Sequence, residues 1–381
     1  MNELQKLMND LILPQALPVL REACVMPALV ATDYSAEAQE QNATINVPMP
    51  QDFGDADDFD PNTGTTATGL NGETVEIKLD KWKYKAFTMN DKEMRETLTG
   101  GVLPSAVEAA VKSIANSVNR DLFDLYKDIP YFAGTAGTPP ADEDAVLDAR
   151  EVLQNNLVPQ GDRRLVFGTK AEKNFLKAMK DASKTGTTAA LREASLGRLY
   201  GLDTFADQMA PVHTHGTAAT DTLAVNGGAA AGATVIGIDG GAGTETLLKG
   251  DVFTIAGVAG QYVVTEDVAA VAGAFAQVKI YPALAGAAAN DAAVTVVAPV
   301  SGGKYGVNLA FHRNAFMWAA RTLSNEQSET STIAVQTDPV TGIPLRLETW
   351  REPGKSKRFW RFDILYGVKT VRRELAARLH G

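Results

Sequence analysis

The 381-residue chain is 45% hydrophobic and 22% charged, the balance of an ordinary globular protein, which excludes disorder as its main state and leaves room for one large domain or two comparable ones. Its formal net charge of −10 argues against a protein that grips nucleic acid by its phosphates, because that affinity comes from clustered cations releasing counterions. The single cysteine, Cys24, excludes an intrachain disulfide and fits folding in a reducing cytosol.

The N-terminal stretch MNELQKLMNDLILPQALPVLREACVMPALVA is apolar. Glu3 and Asp10 nevertheless stand where a secretory leader would be basic, and two prolines and Arg21-Glu22 interrupt the apolar run. No segment approaches the ~18 uncharged apolar residues that a bilayer-spanning helix requires, so no membrane association is expected. The stretch reads as an amphipathic arm with Leu4, Leu7, Leu11 and Ile12 on one face.

ATINVPMP, Ala43 to Pro50, alternates as a strand that its prolines confine to an edge. The segment that follows is acidic and rich in Gly and Thr, with Asp52, Asp55, Asp57, Asp58 and Asp60 in close succession, and reads as an exposed loop. It ends in two alternating strands, Thr74 to Leu79 and Trp82 to Met89, expected to pair as a ribbon. A two-stranded ribbon is marginal alone in water, so it must lie on its own body or on a neighbouring copy.

The clearest helix starts near Pro104, which suits a first helical position. Val107, Ala110, Val111, Ile114, Ala115, Val118, Leu122, Leu125 and Tyr126 mark its apolar face, and Glu108, Lys112, Asn116, Asn119 and Asp124 the polar one. Next come a helix with acidic residues in its first turn, stopped by Pro159, and a strand at Leu165 to Phe167 leading into a helix capped by Thr169. TTAALREASLGRLYGLDTFADQMAPV adds a short helix and a strand.

The composition then changes. Between His213 and Gly303 only Lys249 and Lys279 are basic, against seven acidic residues, and Gly, Ala, Val and Thr dominate. β-like runs recur at Thr222 to Val225, Thr234 to Ile238, Val252 to Ala256, Gln261 to Val264, Phe275 to Tyr281 and Ala293 to Val297, the spacing of a small barrel or sandwich. Beyond it, two strands pair across a turn at Glu352 to Lys357. Alternation there sets Phe359, Arg361 and Asp363 against Trp360, Phe362 and Ile364, with the charged set expected to face solvent.

No catalytic, cofactor or metal constellation emerges. His213 and His215 have no third ligand in pattern, and the acidic run breaks calcium-loop spacing at Phe59. GIDGGAG, Gly237 to Gly243, opens no helix and reads as turn glycines. His312 and His380 read as surface or packing residues. REPGKSKRFWR mixes basic and aromatic residues as a base-stacking strand does, yet a hairpin with protected edges has the same composition.

The blocks REACVMPALVATDYSAEAQEQNATINVPMP, LLKGDVFTIAGV, NLAFHRNAFMWAARTL and FDILYGVKTVRRELAARL occur in an order that resembles the tailed-bacteriophage major capsid (coat) proteins, in particular those of short-tailed phages that carry an inserted β-barrel. The resemblance spans nearly the whole chain. It implies an α+β capsid fold with an N-arm over 1–50, an extended loop over 51–91, a spine helix over 103–127, an axial lobe over about 140–212 and a peripheral platform, 1–212 and 304–381 forming the core and 213–303 the inserted barrel.

The same likeness implies hexamers and pentamers of one polypeptide in an icosahedral shell, with a scaffolding protein and a portal as assembly partners. The shell encloses double-stranded DNA without reading its sequence, in a virion assembled in the bacterial cytoplasm. Residues expected at intersubunit contacts are Asp52, Asp55 and Asp57 on the loop, Trp82, Lys83, Tyr84 and Lys85 on the ribbon, and Arg346, Trp350, Arg351, Trp360 and Arg361 on the C-terminal hairpin. On the residues alone, another virion or surface-layer protein and an enzyme with a β-insertion stay open.

Overall fold

The computed structural model describes residues 12–32, 44–48, 74–90, 103–178, 197–299, 303–323, 331–338, 341–352 and 354–381, together with Met8 and Lys92. The loop aspartates Asp52, Asp55 and Asp57, the arm residues Leu4, Leu7 and Leu11, and the short helix expected before Leu199 lie outside the described residues. Among the described residues no helix is long and apolar enough to cross a membrane. The chain divides into two compact units, one of residues 1–22, 32–114 and 318–369, the other of residues 23–31, 115–317 and 370–381.

In the first unit, helix Leu13–Ala23 buries Leu13, Ala16, Leu17 and Leu20, the spacing of one helical face. Its Arg21 pairs with the fully buried Asp338 at 2.5 Å, and Asp338 also accepts from the backbone N–H (3.0 Å) and hydroxyl (2.6 Å) of Thr341. Burial pushes the Asp338 carboxyl up, but the hydrogen bonds from Arg21 and Thr341 outweigh it and hold the group below its ordinary value.

The expected ribbon does not form. Strand Thr74–Lys78 pairs with Thr44–Pro48, setting Ile45 opposite Ile77 and Val47 opposite Val75. Strand Lys81–Asn90 pairs instead with Lys357–Thr370, from Lys81 opposite Tyr366 to Asn90 opposite Lys357. Lys357–Thr370 therefore runs between Lys81–Asn90 and Pro344–Glu352 in a five-stranded sheet completed by Ser331–Thr337 and Phe316–Arg321. The two halves of the predicted ribbon each find a partner elsewhere in the chain, and 81–90 is hydrogen-bonded along one edge by its own polypeptide.

Helix Leu103–Phe123, continued by a 3₁₀ segment Asp124–Asp128, contributes to both units. Val107, Ala110, Val111, Ile114, Ala115, Val118 and Leu122 are buried as the helical period requires. Asn119, assigned to the polar face, is 1% exposed instead. Its side chain accepts from the N–H of Met26 and donates to the carbonyl of Ala23 and to Asp207, so a buried amide holds the junction before helix Val25–Leu29.

The second unit holds a mixed sheet in the order Phe132–Ala133, Ala376–His380, Lys304–His312, Arg163–Phe167, Leu202–Ala206, Arg198–Leu199, with Val212–Thr214 paired to the start of Lys304–His312. Arg163–Phe167 and Leu202–Ala206 run parallel, as do Phe132–Ala133 and Ala376–His380. Helix Glu143–Asn155 buries Val146, Ala149 and Leu153, and helix Thr169–Ala178 buries Ala171 and Phe175. Thr169 is that helix's first residue and not its cap.

The same unit contains a closed six-stranded barrel. Around it run Val235–Asp239, Phe275–Tyr281, Val258–Val264, Val252–Ile255, Ala293–Val296 and Leu223–Asn226, every neighbouring pair antiparallel. The expected six runs are these six strands. Alternate residues fill the interior, including Val225, Ile238, Phe253, Tyr262, Val264, Phe275 and Val278. Val252–Ile255 and Val258–Val264 form a hairpin whose two-residue loop places Gly257 at φ +80°, a conformation L side chains rarely adopt. The glycines of GIDGGAG follow a strand and serve turns: at Gly240 an added Cβ would lie 2.2 Å from the carbonyl oxygen of Thr222.

Candidate intersubunit surface

In the five-stranded sheet, residues directly opposite one another share a face. One face carries Phe87, Trp360, Phe362, Ile364 and Leu347, and is the apolar side. Trp360 is 1% exposed with Phe87 stacked on it at 6.4 Å, while Phe362, Ile364 and Leu347 are buried.

The other face was expected to be a solvated row of charges. It carries a compact ion cluster. Asp363 is fully buried, with Arg361 Nε at 2.9 Å and Arg346 Nη1 at 3.4 Å. Glu348 meets Arg361 Nη2 at 2.5 Å and Arg346 Nη2 at 3.2 Å. Two cations and two anions thus balance, which is what allows them to leave water. Burial pushes the Asp363 carboxyl up to about 6, against the opposing pull of Arg361 and Arg346. Beside the cluster the Arg361 guanidinium lies 5.6 Å from the Trp350 ring, which stacks on Phe359 at 5.1 Å.

The predicted contact residues therefore separate. Trp360 is core, and Arg346 and Arg361 are engaged in intrachain ion pairs. Trp82 and Tyr84 lie on the ion-cluster face, opposite Leu365 and Asp363, and are 55% and 67% exposed. Lys83 is half-buried and Lys85 exposed on the same strand, whereas Trp350 is half-buried and Arg351 exposed on the hairpin. Of the nine described among them, Trp82 and Tyr84 present the most exposed apolar surface, of the kind an interface core requires.

The histidines do not build a metal centre: among the described residues no group of three or more His, Cys, Asp or Glu is placed to hold a metal ion. His213 is 2% exposed and bonded to Tyr126 and Asp251, while His215 Nδ1 donates to the carbonyl of Gly216. His380 is 1% exposed, a packing residue, and its neighbour Arg378 is 0% exposed. Both sit in the strand Ala376–His380, whose mixed and short sequence offers no alternation to betray it.

No family model and no curated protein sequence matches the chain. Compared with solved structures, it has the tailed-phage capsid fold, mixed helix and sheet with a closed six-stranded barrel. A chain of Mycobacterium phage Che8 superposes with a TM-score of 0.51 at 14% identity, covering 93% of this chain and 90% of that one. A chain of the mature capsid of bacteriophage PhiM1 gives a TM-score of 0.46 at 11% identity, covering 89% and 82%. One from the capsid of cyanophage P-SCSP1u gives 0.45 at 10% identity, covering 89% and 83%.

Proposed function

We propose that this chain is a major capsid protein of a tailed bacteriophage, of the short-tailed type with an inserted β-barrel, and that copies of it assemble as hexamers and pentamers into an icosahedral shell around double-stranded DNA. The observation that carries the reading is the extent of the fold likeness, 93% of this chain against 90% of the Che8 chain. A match of that length leaves out fewer residues than 213–303 contains, so it reaches into the barrel as well as the core.

The role is structural and not catalytic. A shell wall works through many interfaces of ordinary size, ~800 Å² per partner, each weak enough to anneal errors and together strong enough to hold. Trp82, Tyr84 and Trp350 on one face of the sheet, and Lys83, Lys85 and Arg351 on the other, are the described residues proposed to meet neighbouring copies, joined by Asp52, Asp55 and Asp57 of the loop. Residues 213–303 are proposed as an insertion into a core of 1–212 and 304–381, with the lobe over about 140–212 gathering at the capsomer centre. A scaffolding protein and a portal are the proposed assembly partners, in the bacterial cytoplasm, and the virion the final location. The net charge of −10 suits a wall that holds DNA without sequence-specific binding.

Negative-stain electron microscopy of the expressed chain, with and without a co-expressed scaffolding protein, tests this. Uniform shells or ring-shaped capsomers are expected. A small compact oligomer under both conditions overturns the reading.

A further inference from the structure

The second unit gathers a set of buried ionisable groups beneath the barrel. The barrel loop carrying Gly250 and Asp251 sits on them. Asp251, 0% exposed, accepts from His213 Nε2 at 2.9 Å and from the backbone N–H groups of Gly216 (3.0 Å) and Leu248 (2.8 Å). With Nε2 donating to the carboxylate, His213 Nδ1 accepts from the Tyr126 hydroxyl at 2.8 Å, which is the arrangement of a neutral imidazole. Arg378 donates Nη1 to the carbonyl of Gly250 at 2.7 Å.

His380 has a different setting. Its ring stacks on Phe132 and meets Tyr305 edge-on, each at 4.9 Å, and among the described residues neither ring nitrogen has a hydrogen-bond partner. Phe132 is itself a clasp on the barrel, its N–H and carbonyl paired with the side chain of Gln261 at 2.8 and 3.2 Å. The charged and titratable groups facing His380 are Arg378 on its own strand, Tyr305 on Lys304–His312 and His213 on Val212–Thr214. Among the described residues no carboxylate faces His380. Those facing His213 are Tyr126, Tyr305, Arg378, His215 and the carboxylate of Asp251, while Asp128 close by pairs with Lys249 at 2.8 Å.

We propose that His380 and His213 make the seat of the barrel acid-sensitive: with both imidazoles neutral the seat is closed, and acidification opens it, with His380 the stronger trigger because no acceptor awaits its proton. Burial pushes both imidazoles below their ordinary value, His380 well below, whereas at His213 Asp251 opposes the shift. An opened seat lets each imidazole take its proton near pH ~6.5, but the closed seat does not. The closed form therefore holds its full stability above that pH and loses it as the pH falls below, opening about tenfold more per pH unit for each histidine that is protonated only when open.

Hydrogen exchange on the full chain reads this at the amides of Gly216 and Leu248, which donate to Asp251. Corrected for intrinsic rates, their opening is expected to be flat from pH 7.5 to 6.5, then to rise about tenfold by pH 5.5 with one linked histidine and about a hundredfold with two. The amide of Ile280, bonded to Thr234 elsewhere in the barrel, stays protected. His380→Phe, which keeps a ring against Phe132, is expected to reduce the rise about tenfold. A flat profile to pH 5.5, an equal rise in His380→Phe, or a rise shared by Ile280 overturns the proposal. Should that variant not fold, histidine NMR of the unaltered chain decides: His380 stays neutral to pH 5.5 while the seat is protected, and a ring titrating near its ordinary value with the amides still protected overturns it.

Discussion

The barrel and the five-stranded sheet obey the same alternation and dispose of their apolar surface in opposite ways. The barrel closes, so every strand has two partners and alternate side chains converge on one interior. The sheet places Lys81–Asn90 against a single partner among the described residues, and that strand holds Trp82 and Tyr84, two of the large hydrophobics most open to water. A closed barrel satisfies itself, whereas an edge strand with exposed aromatic rings has surface left over. That leftover surface is where the proposed copy-to-copy contact belongs.

The sharpest way to break the comparison is to remove the filling of the barrel. Phe275 is fully buried there. Phe275→Ala deletes its ring and leaves a cavity, expected to cost ~3–5 kcal/mol. Thermal or urea unfolding followed by limited proteolysis checks it; a loss below ~1 kcal/mol would mean that the interior collapses freely and is not close-packed.

Asp363 in the sheet and the histidines beneath the barrel also differ in the sign of their response to acid. At Asp363 the folded carboxyl is raised to about 6, so between ~3.9 and that value the folded chain holds a proton the unfolded chain has lost. Stability from this group is complete below the unfolded value and declines as the pH rises through the window, by at most ~1.4 kcal/mol per unit. Asp363→Asn abolishes the ionisation, so the variant should gain on the parent as urea midpoints are compared from pH 4 to pH 6.5. A constant difference would place the carboxylate in a better-solvated setting than its burial implies. The histidines beneath the barrel act in the other direction, losing stability as the pH falls.

A smaller effect is expected at the barrel hairpin. An alanine at Gly257 meets no atom within 4 Å, so the whole cost of Gly257→Ala is its backbone at φ +80°. That amounts to ~1–2 kcal/mol, below the loss at Phe275, and thermal unfolding would show it.

What was legible in the sequence follows the same division. The barrel strands could be read because alternation and turn glycines are local signals, and each strand's partner is near in the chain or follows from closure. Lys81–Asn90 was legible as a strand but its partner was not, since nothing in KWKYKAFTMN indicates pairing with KRFWRFDILY some 276 residues on. Asp363 shows the limit of alternation, which assigned its face and could not know that Arg346, Glu348 and Arg361 stand on that face to take it out of water. Asn119 lies where the helical period puts a polar residue, yet Ala23, Met26 and Asp207 converge on it. The histidines beneath the barrel come from strands too short to signal burial.

The remaining contrast is between what a residue does for its own chain and what it does for another. Trp82 stands directly opposite Leu365, a cross-strand pairing of the kind that contributes ~0.2–1 kcal/mol, and more than half of its surface is open to water. Trp82→Ala should therefore leave the isolated chain folded, with an unfolding midpoint close to the parent's. If its exposed ring forms part of an interface core, the same change strikes assembly harder, because aromatic anchors at interface centres cost ≥ ~2 kcal/mol each when truncated, and a shell repeats the loss at every copy. Sedimentation of the variant beside the parent separates the two effects: a folded chain that no longer reaches shell size is expected. A variant that unfolds as a monomer, or that assembles as the parent does, would return Trp82 to the ordinary surface and leave the sheet as self-sufficient as the barrel.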